Sequence, residues 1–187
     1  GGQDSGVQLV SSILINDCLI QDNYGTYAGG VLAYGFGSSE LRDCIIQFNT
    51  KYGSNSGAGG VHVSDCNPKI SRCVISGNLS SKATGGVYVQ DECHPEIVDS
   101  IIENNQGHGI MAEFACVDVN NCNVTQNTGS GIHLELLESP FGIGPQISDS
   151  LVALNEERGI AVHGSDVEAT ISDCLVQENE EGGVSFI

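Results

Sequence analysis

The stretch Cys73-Val74-Ile75-Ser76-Gly77-Asn78 occurs seven times along the chain in slightly altered form. A small residue comes first, an aliphatic stands two positions on, and Asn closes the hexapeptide. The copies begin at Cys18, Cys44, Cys73, Ser100, Cys122, Ser150 and Cys174, between 22 and 29 residues apart, with a mean period of 26. The step from the small residue to Asn never varies. A period of this length is the signature of a solenoid.

Two further columns keep pace with the hexapeptide. Gly precedes Val or Ile at Gly6, Gly30, Gly60, Gly86, Gly109, Gly131, Gly159 and Gly183. An aliphatic stands three residues before each Cys or Ser, at Ile15, Leu41, Ile70, Ile97, Val119, Ile147 and Ile171. Alternation around each column predicts a short strand, and no segment has helical period. Three short strands per repeat describe an all-β, right-handed parallel β-helix of about seven rungs. At strand spacing the rod is about 34 Å long.

The columns then take on roles. The aliphatics fill the core, and the Cys/Ser slot must be small because it follows a corner. Asn23, Asn49, Asn78, Asn105, Asn127, Asn155 and Asn179 form a structural ladder that bonds turn backbone and stacked amides. The glycines allow a positive φ or a close approach of backbone. Asp17, Asp43, Asp99, Asp149 and Asp173, just before the small residue, either cap turns or attract Ca²⁺ between stacked carboxylates. Turn capping is the preferred role, because no glycine-rich calcium nonapeptide is present.

Composition narrows the classes of partner. With 6 Lys+Arg against 24 Asp+Glu, the net charge is -18. Such a chain repels nucleic acid and anionic membrane surfaces. No apolar run reaches membrane-spanning length. Residues 1–187 are expected to be one β-helix domain and a segment of a longer chain, since the sequence lacks an initiating Met and stops within a strand pattern.

Of the eight cysteines, five occupy the slot that Ser also fills and are expected to be buried free thiols. Cys66 and Cys93 each precede a Pro by two residues in the same loop of adjacent rungs, which makes them the disulfide candidate. Cys116 lies in the next such loop. A metal site at Cys66, Cys93, His94 and Cys116 lacks any C-x-x-C support.

Three outward surfaces bear on function. On the strand before the small residue, Glu40, Arg42, Lys69, Glu96 and Asp118 form either a cross-strand charge ladder or a catalytic face. On the strand after Gly, Tyr34, His62, Tyr88, Glu113, His133 and Glu135, with Gln90, Met111 and His163, form a strip suited to sugar rings or a protein partner. After the small residue, Leu19, Ile45, Val74, Ile101, Leu151 and Leu175 make an aliphatic stripe that suggests packing against another domain or subunit.

Gly59-Gly60-Val61-His62-Val63, Asn67-Pro68-Lys69-Ile70 and Cys73 to Asn78 together resemble the repeats of secreted bacterial and archaeal β-helix proteins in the pectate-lyase-like superfamily. The pairing of G-G-[VI] with I-x-x-N is also similar to repeats of polymorphic outer-membrane adhesins. The resemblance implies a secreted or cell-surface protein. It is specific for fold, because the matched residues are scaffold. Lyases of this superfamily use a Ca²⁺-binding acidic cluster and an Arg or Lys base, but their Arg motif is missing here. Gly107-His108-Gly109 matches a polygalacturonase tripeptide without the paired Asp and R-I-K elements of those enzymes. The leading expectation is therefore a non-catalytic surface module for glycan or protein binding, or for rigid spacing, with no cofactor. The alternatives are a lyase or glycoside hydrolase acting on an acidic polysaccharide through Arg42, Lys69, Glu96 and Asp118, or a fibre subunit assembling through the stripe or open ends.

Overall fold

The computed structural model describes residues 5–35, 37–136, 144–164 and 168–186, with Lys82 and Ala83 described by their backbone alone. Every strand pair among the described residues is parallel, and none of these residues is helical. Three sheets run side by side along one axis. The first takes the strand after each Gly: Val7–Leu9, Val31–Tyr34, Val61–Ser64, Leu79–Gln90, Gln106–Glu113, Ile132–Glu135, Ile160–His163 and Val184–Phe186. The short strands Tyr24–Gly25 and Thr50–Lys51 join it beside Leu79–Gln90. The second sheet holds Leu14–Asn16, Glu40–Arg42, Lys69–Ser71, Glu96–Val98, Asp118–Asn120, Gln146–Ser148 and Thr170–Ser172. The third holds Leu19–Gln21, Ile45–Gln47, Val74–Ser76, Ile101–Glu103, Asn123–Thr125, Leu151–Ala153 and Leu175–Gln177.

Register puts like on like. Val31, Leu41 and Ile46 fill one rung, Val61, Ile70 and Ile75 the next, and Val87, Ile97 and Ile102 the one after, all fully buried. Burying each such side chain contributes about 1.5–3 kcal/mol. No rung encloses its own core, so the stabilisation is shared between neighbours.

The corners are single left-handed residues. Asp17, Asp43, Arg72, Asp99, Asn121, Asp149 and Asp173 all have φ between 50° and 54°. The residue before each Asn does the same, from Asp22 and Phe48 through Gly77, Asn104 and Gln126 to Leu154 and Glu178, at 53° to 61°. One αL residue between two extended ones turns the chain sharply. Asp and Asn bear that conformation better than most L residues, which explains why they recur at the first corner. Arg72 holds the same corner while its guanidinium grips Asp43 at 2.7 and 2.8 Å. That grip keeps the Asp43 carboxyl below the usual carboxylate range.

The small slot is a hydrogen-bonding slot. Its side chain reaches the carbonyl two residues back: Sγ at 3.1 Å in Cys44 and 3.3 Å in Cys122, Oγ at 2.8 Å in Ser100 and 2.7 Å in Ser150. Thiol and hydroxyl serve alike, so Ser and Cys interchange. Burial pushes the Cys73 and Cys122 thiols up to about 11, out of reach of ionisation at neutral pH.

The Asn ladder runs unbroken through all seven rungs. From Asn49 onward, each Oδ1 accepts both the backbone N–H and the side-chain amide of the Asn before it. For Asn105 these bonds come from Asn78, each at 3.0 Å. The Gly column closes against this ladder. None of its eight members has a positive φ among the described glycines, so close approach is the reason for Gly from Gly6 to Gly159, while a Cβ on Gly183 would meet only Val176 at 3.7 Å. A Cβ on Gly131 would stand 2.8 Å from Asn155 Nδ2 and 2.8 Å from the Gly159 carbonyl, and one on Gly30 would stand 2.6 Å from the Gly60 carbonyl.

Candidate functional site

The strip on the first sheet is a trough, not a flat exposed surface. Leu32, His62, Tyr88, Met111, His133 and Ala161 lie in register along its floor, and Tyr34, Ser64, Gln90, Glu113, Glu135 and His163 run beside them. Alternation points the floor row outward, yet His62 is 2% exposed and Tyr88 3%. Corner segments of unequal length cover them. Ala28, Ala58 and Thr84 pair along one edge. The 52–57 loop is wound on the buried Lys51, whose Nζ donates to the carbonyls of Gly53, at 3.1 Å, and Asn55. Tyr88 donates its hydroxyl to Glu113, and its ring meets His62 edge-on at 5.2 Å. Tyr88 is thus a buried structural tyrosine rather than a ligand platform. Burial and Glu113 push its phenol above its ordinary value.

Tyr34 is exposed, and beside it the trough opens into a hollow of about 290 Å³ lined by Gln8, Tyr27, Leu32, Tyr34, His62, Ser64, Asp65 and Gln90. His62 donates Nδ1–H to the Tyr27 carbonyl at 3.2 Å, because a carbonyl only accepts. Burial holds this imidazole at about 4, so it is neutral at physiological pH. Its Nε2 is buried without a hydrogen-bond partner. Tyr27 was not singled out from sequence. The alignment of Ala28-Gly29-Gly30 with Ala58-Gly59-Gly60 is the signal that puts it at the rim.

Farther along, His108, His133 and His163 stack, with ring centroids 4.6 and 4.9 Å apart. His133 Nε2 lies 3.3 Å from Glu135 Oε1. His108 Nδ1 accepts the Ser130 N–H at 2.9 Å, so that nitrogen carries no proton and the Glu157 carboxylate 3.8 Å away faces a neutral ring. Burial and the adjacent His133 hold His108 at about 4.

On the second sheet, Lys69 is flanked in register by Glu40 and Glu96 and pairs with Glu96 at 2.9 Å. The pairing raises the Lys69 pKa, the opposite of what a general base requires. Arg42 donates to Asn16 Oδ1 at 2.7 Å and lies 4.0 Å from Glu40 and 3.8 Å from Asp43. Asp118 Oδ1 accepts the Gln146 N–H at 3.0 Å and stands 2.9 Å from His94 Nε2. Asn67, His94, Glu96 and Asp118 line a second hollow of about 330 Å³. Arg42, Lys69, Glu96 and Asp118 are therefore spread along a ladder and largely paired off, while His94, aligned with Asn67 through the following Pro, is the residue sequence reasoning left out of this face.

All eight cysteines are free thiols. Cys66 and Cys93 do lie in adjacent rungs of one corner, but no bond joins them. The Cys93 sulfur instead accepts the Cys66 backbone N–H at 3.2 Å. Burial pushes Cys66 up to about 11 and Cys93 to about 12. Among the described residues no group of three or more His, Cys, Asp or Glu side chains is placed to hold a metal ion.

The stripe on the third sheet is a single column. Leu19, Ile45 and Leu175 are exposed, Val74, Ile101 and Leu151 are half-buried, and Asn123 interrupts them. One column across seven strands offers on the order of 300 Å², well short of the roughly 800 Å² per partner of a stable interface.

The chain matches no curated protein and no solved structure. The family described as the right-handed β-helix region matches residues 5–140, most of the chain. With its parallel sheets, in-register rungs and shared core, the protein belongs to the right-handed β-helix family.

Proposed function

We propose that this β-helix is a non-catalytic recognition module, secreted or displayed at a cell surface, that holds a glycan along the trough of the first sheet. The hollow between Tyr27 and Tyr34 carries the reading: two partly exposed aromatic rings flank a concave floor edged with polar side chains. Such rings offer apolar faces for the C–H face of a sugar and hydroxyls for its rim. The module needs no metal. Its acidity turns away nucleic acid and anionic membrane surfaces.

A second reading, a lyase or glycoside hydrolase on the second sheet, has one specific observation in its favour. His94 and Asp118 form a pair beside Glu96 in a hollow. Against it, Lys69 is held protonated by Glu96.

The experiment is a glycan array combined with a degradation screen, each with Ca²⁺ and with a chelator. Binding without unsaturated products or new reducing ends is expected in both conditions. Tyr34→Ala, at an exposed position, should weaken binding at least 10-fold, while Lys69→Ala and Glu96→Ala leave it unchanged. Turnover lost on Glu96→Ala would replace the recognition module with an enzyme on the second sheet.

A further inference from the structure

The hollow beside His62 has a selective chemistry. At about 290 Å³ it lies at the lower limit of ligand pockets, a size for one or two sugar rings rather than a long segment. Its walls carry no Lys or Arg. Gln8, Ser64 and Gln90 are neutral, and Asp65 is an exposed carboxylate. An acidic sugar entering here would meet Asp65 with no counter-cation among the lining residues, on a chain of net charge -18; Lys51, whose charge reaches His62, is buried and held by the Gly53 and Asn55 carbonyls. Like charges brought together in a partly desolvated site are strongly disfavoured.

The floor supplies a second observation. Because the Nδ1–H of His62 is committed to the Tyr27 carbonyl, Nε2 presents a lone pair. That lone pair is buried and has no partner. A buried acceptor left without a donor is costly, and a sugar hydroxyl is a donor.

Building on the recognition reading above, we infer that this hollow is a subsite for a pyranose ring that bears no acid group, a hexose or an N-acetylhexosamine, seated on Tyr27 and Tyr34 and donating one hydroxyl to His62 Nε2 as the ligand uncovers that atom, which is closed to solvent in the free protein. The subsite selects against uronates and sulfated sugars through Asp65. It therefore directs the module to neutral glycans rather than to the acidic polysaccharides expected of an enzyme on this scaffold.

The test sorts array binders by charge and then measures the best neutral binder by calorimetry against His62→Phe and Asp65→Asn. Phe keeps the ring's bulk and removes the acceptor together with the Nδ1–H bond to the Tyr27 carbonyl, which keeps its bond from the Ala58 N–H at 3.2 Å. The expected result is a roughly 10-fold loss of affinity, the worth of one hydrogen bond, in a protein that still melts near the parent. Asn accepts the φ of 54° at position 65, so Asp65→Asn should fold. It should keep neutral binding and admit uronates at least several-fold better than the parent does. Preference of the parent for uronates or sulfated glycans overturns the inference and leaves the recognition reading standing. Neutral binding indifferent to both substitutions also overturns it, by placing the sugar elsewhere on the trough. The absence of any glycan binder sinks the recognition reading, and the inference with it.

Discussion

Replacing Asn105 by Ala is expected to cost about 5 kcal/mol of folding stability, as much as deleting a large core side chain. The side chain is fully buried. Its Oδ1 accepts the Asn78 backbone N–H and the Asn78 amide, each at 3.0 Å. Its Nδ2 donates to the Ile75 carbonyl at 2.9 Å and to Asn127 Oδ1 at 3.1 Å. Truncation strands donors and an acceptor where water does not reach, and each orphaned group costs roughly 1–3 kcal/mol. The neighbouring Asn residues also polarise one another along the column. Asn23, half-buried in the ladder's first rung, donates to Asn49 with no earlier Asn donating to it, so Asn23→Ala should cost about half as much or less. Denaturant unfolding of both variants reads the difference. Equal small losses near 1 kcal/mol would mean that the strands alone fix the corners.

The second large effect is loss of stability in acid. His62 and His108 are both held at about 4 in the folded protein, chiefly by burial, against 6.5 in the unfolded chain. Above pH 6.5 both states are neutral and the two imidazoles favour neither. Between pH 6.5 and about 4 the unfolded chain takes up protons that the folded protein refuses, so stability falls as pH falls. Each imidazole accounts for roughly 3 kcal/mol across that window. The groups that oppose protonation differ: Lys51 acts on His62 against Asp91, and His133 acts on His108 against Glu157 and Glu135. Asp43 adds to acid sensitivity only lower, as pH passes through its depressed value. Denaturant midpoints measured from pH 7 to pH 4.5 should therefore drop steeply in the parent. The drop should shrink by about half in His108→Phe. A flat profile would show that both rings are open to solvent.

The scaffold was legible because a solenoid presents the same environment once per turn. Every rung asks for a small hydrogen-bonding residue in the Cys/Ser slot, an amide at the ladder and an αL-tolerant residue at the corner. The chain answers seven times, which exposes even the exceptions. Arg72 stands where Asp recurs, in the same αL conformation, with its guanidinium on Asp43 of the neighbouring rung. The glycines were read for either of two reasons, and only geometry separates them. A Cβ at Gly131 meets Asn155, while the backbone itself is unstrained. The candidate site was less legible because it belongs to the corner segments, whose lengths differ from rung to rung. Alternation points His62 and Tyr88 outward, and it is right about direction. It says nothing of the 52–57 loop that Lys51 anchors over them, nor of Tyr27 arriving from the preceding rung. On the second sheet, the Lys69 stack between Glu40 and Glu96 was visible in the spacing, but whether Lys69 is a base or a partner depends on a distance to Glu96.

The most direct test of the recognition surface is an amide NMR titration of ¹⁵N-labelled protein with the best array binder. Shifts should concentrate at Gln8, Leu32 to Gly35, His62 to Asp65 and Gln90, with the amides of Lys69, Glu96 and Asp118 unmoved. Shifts confined to Asn67, His94, Glu96 and Asp118 would move the site to the second sheet and contradict the account.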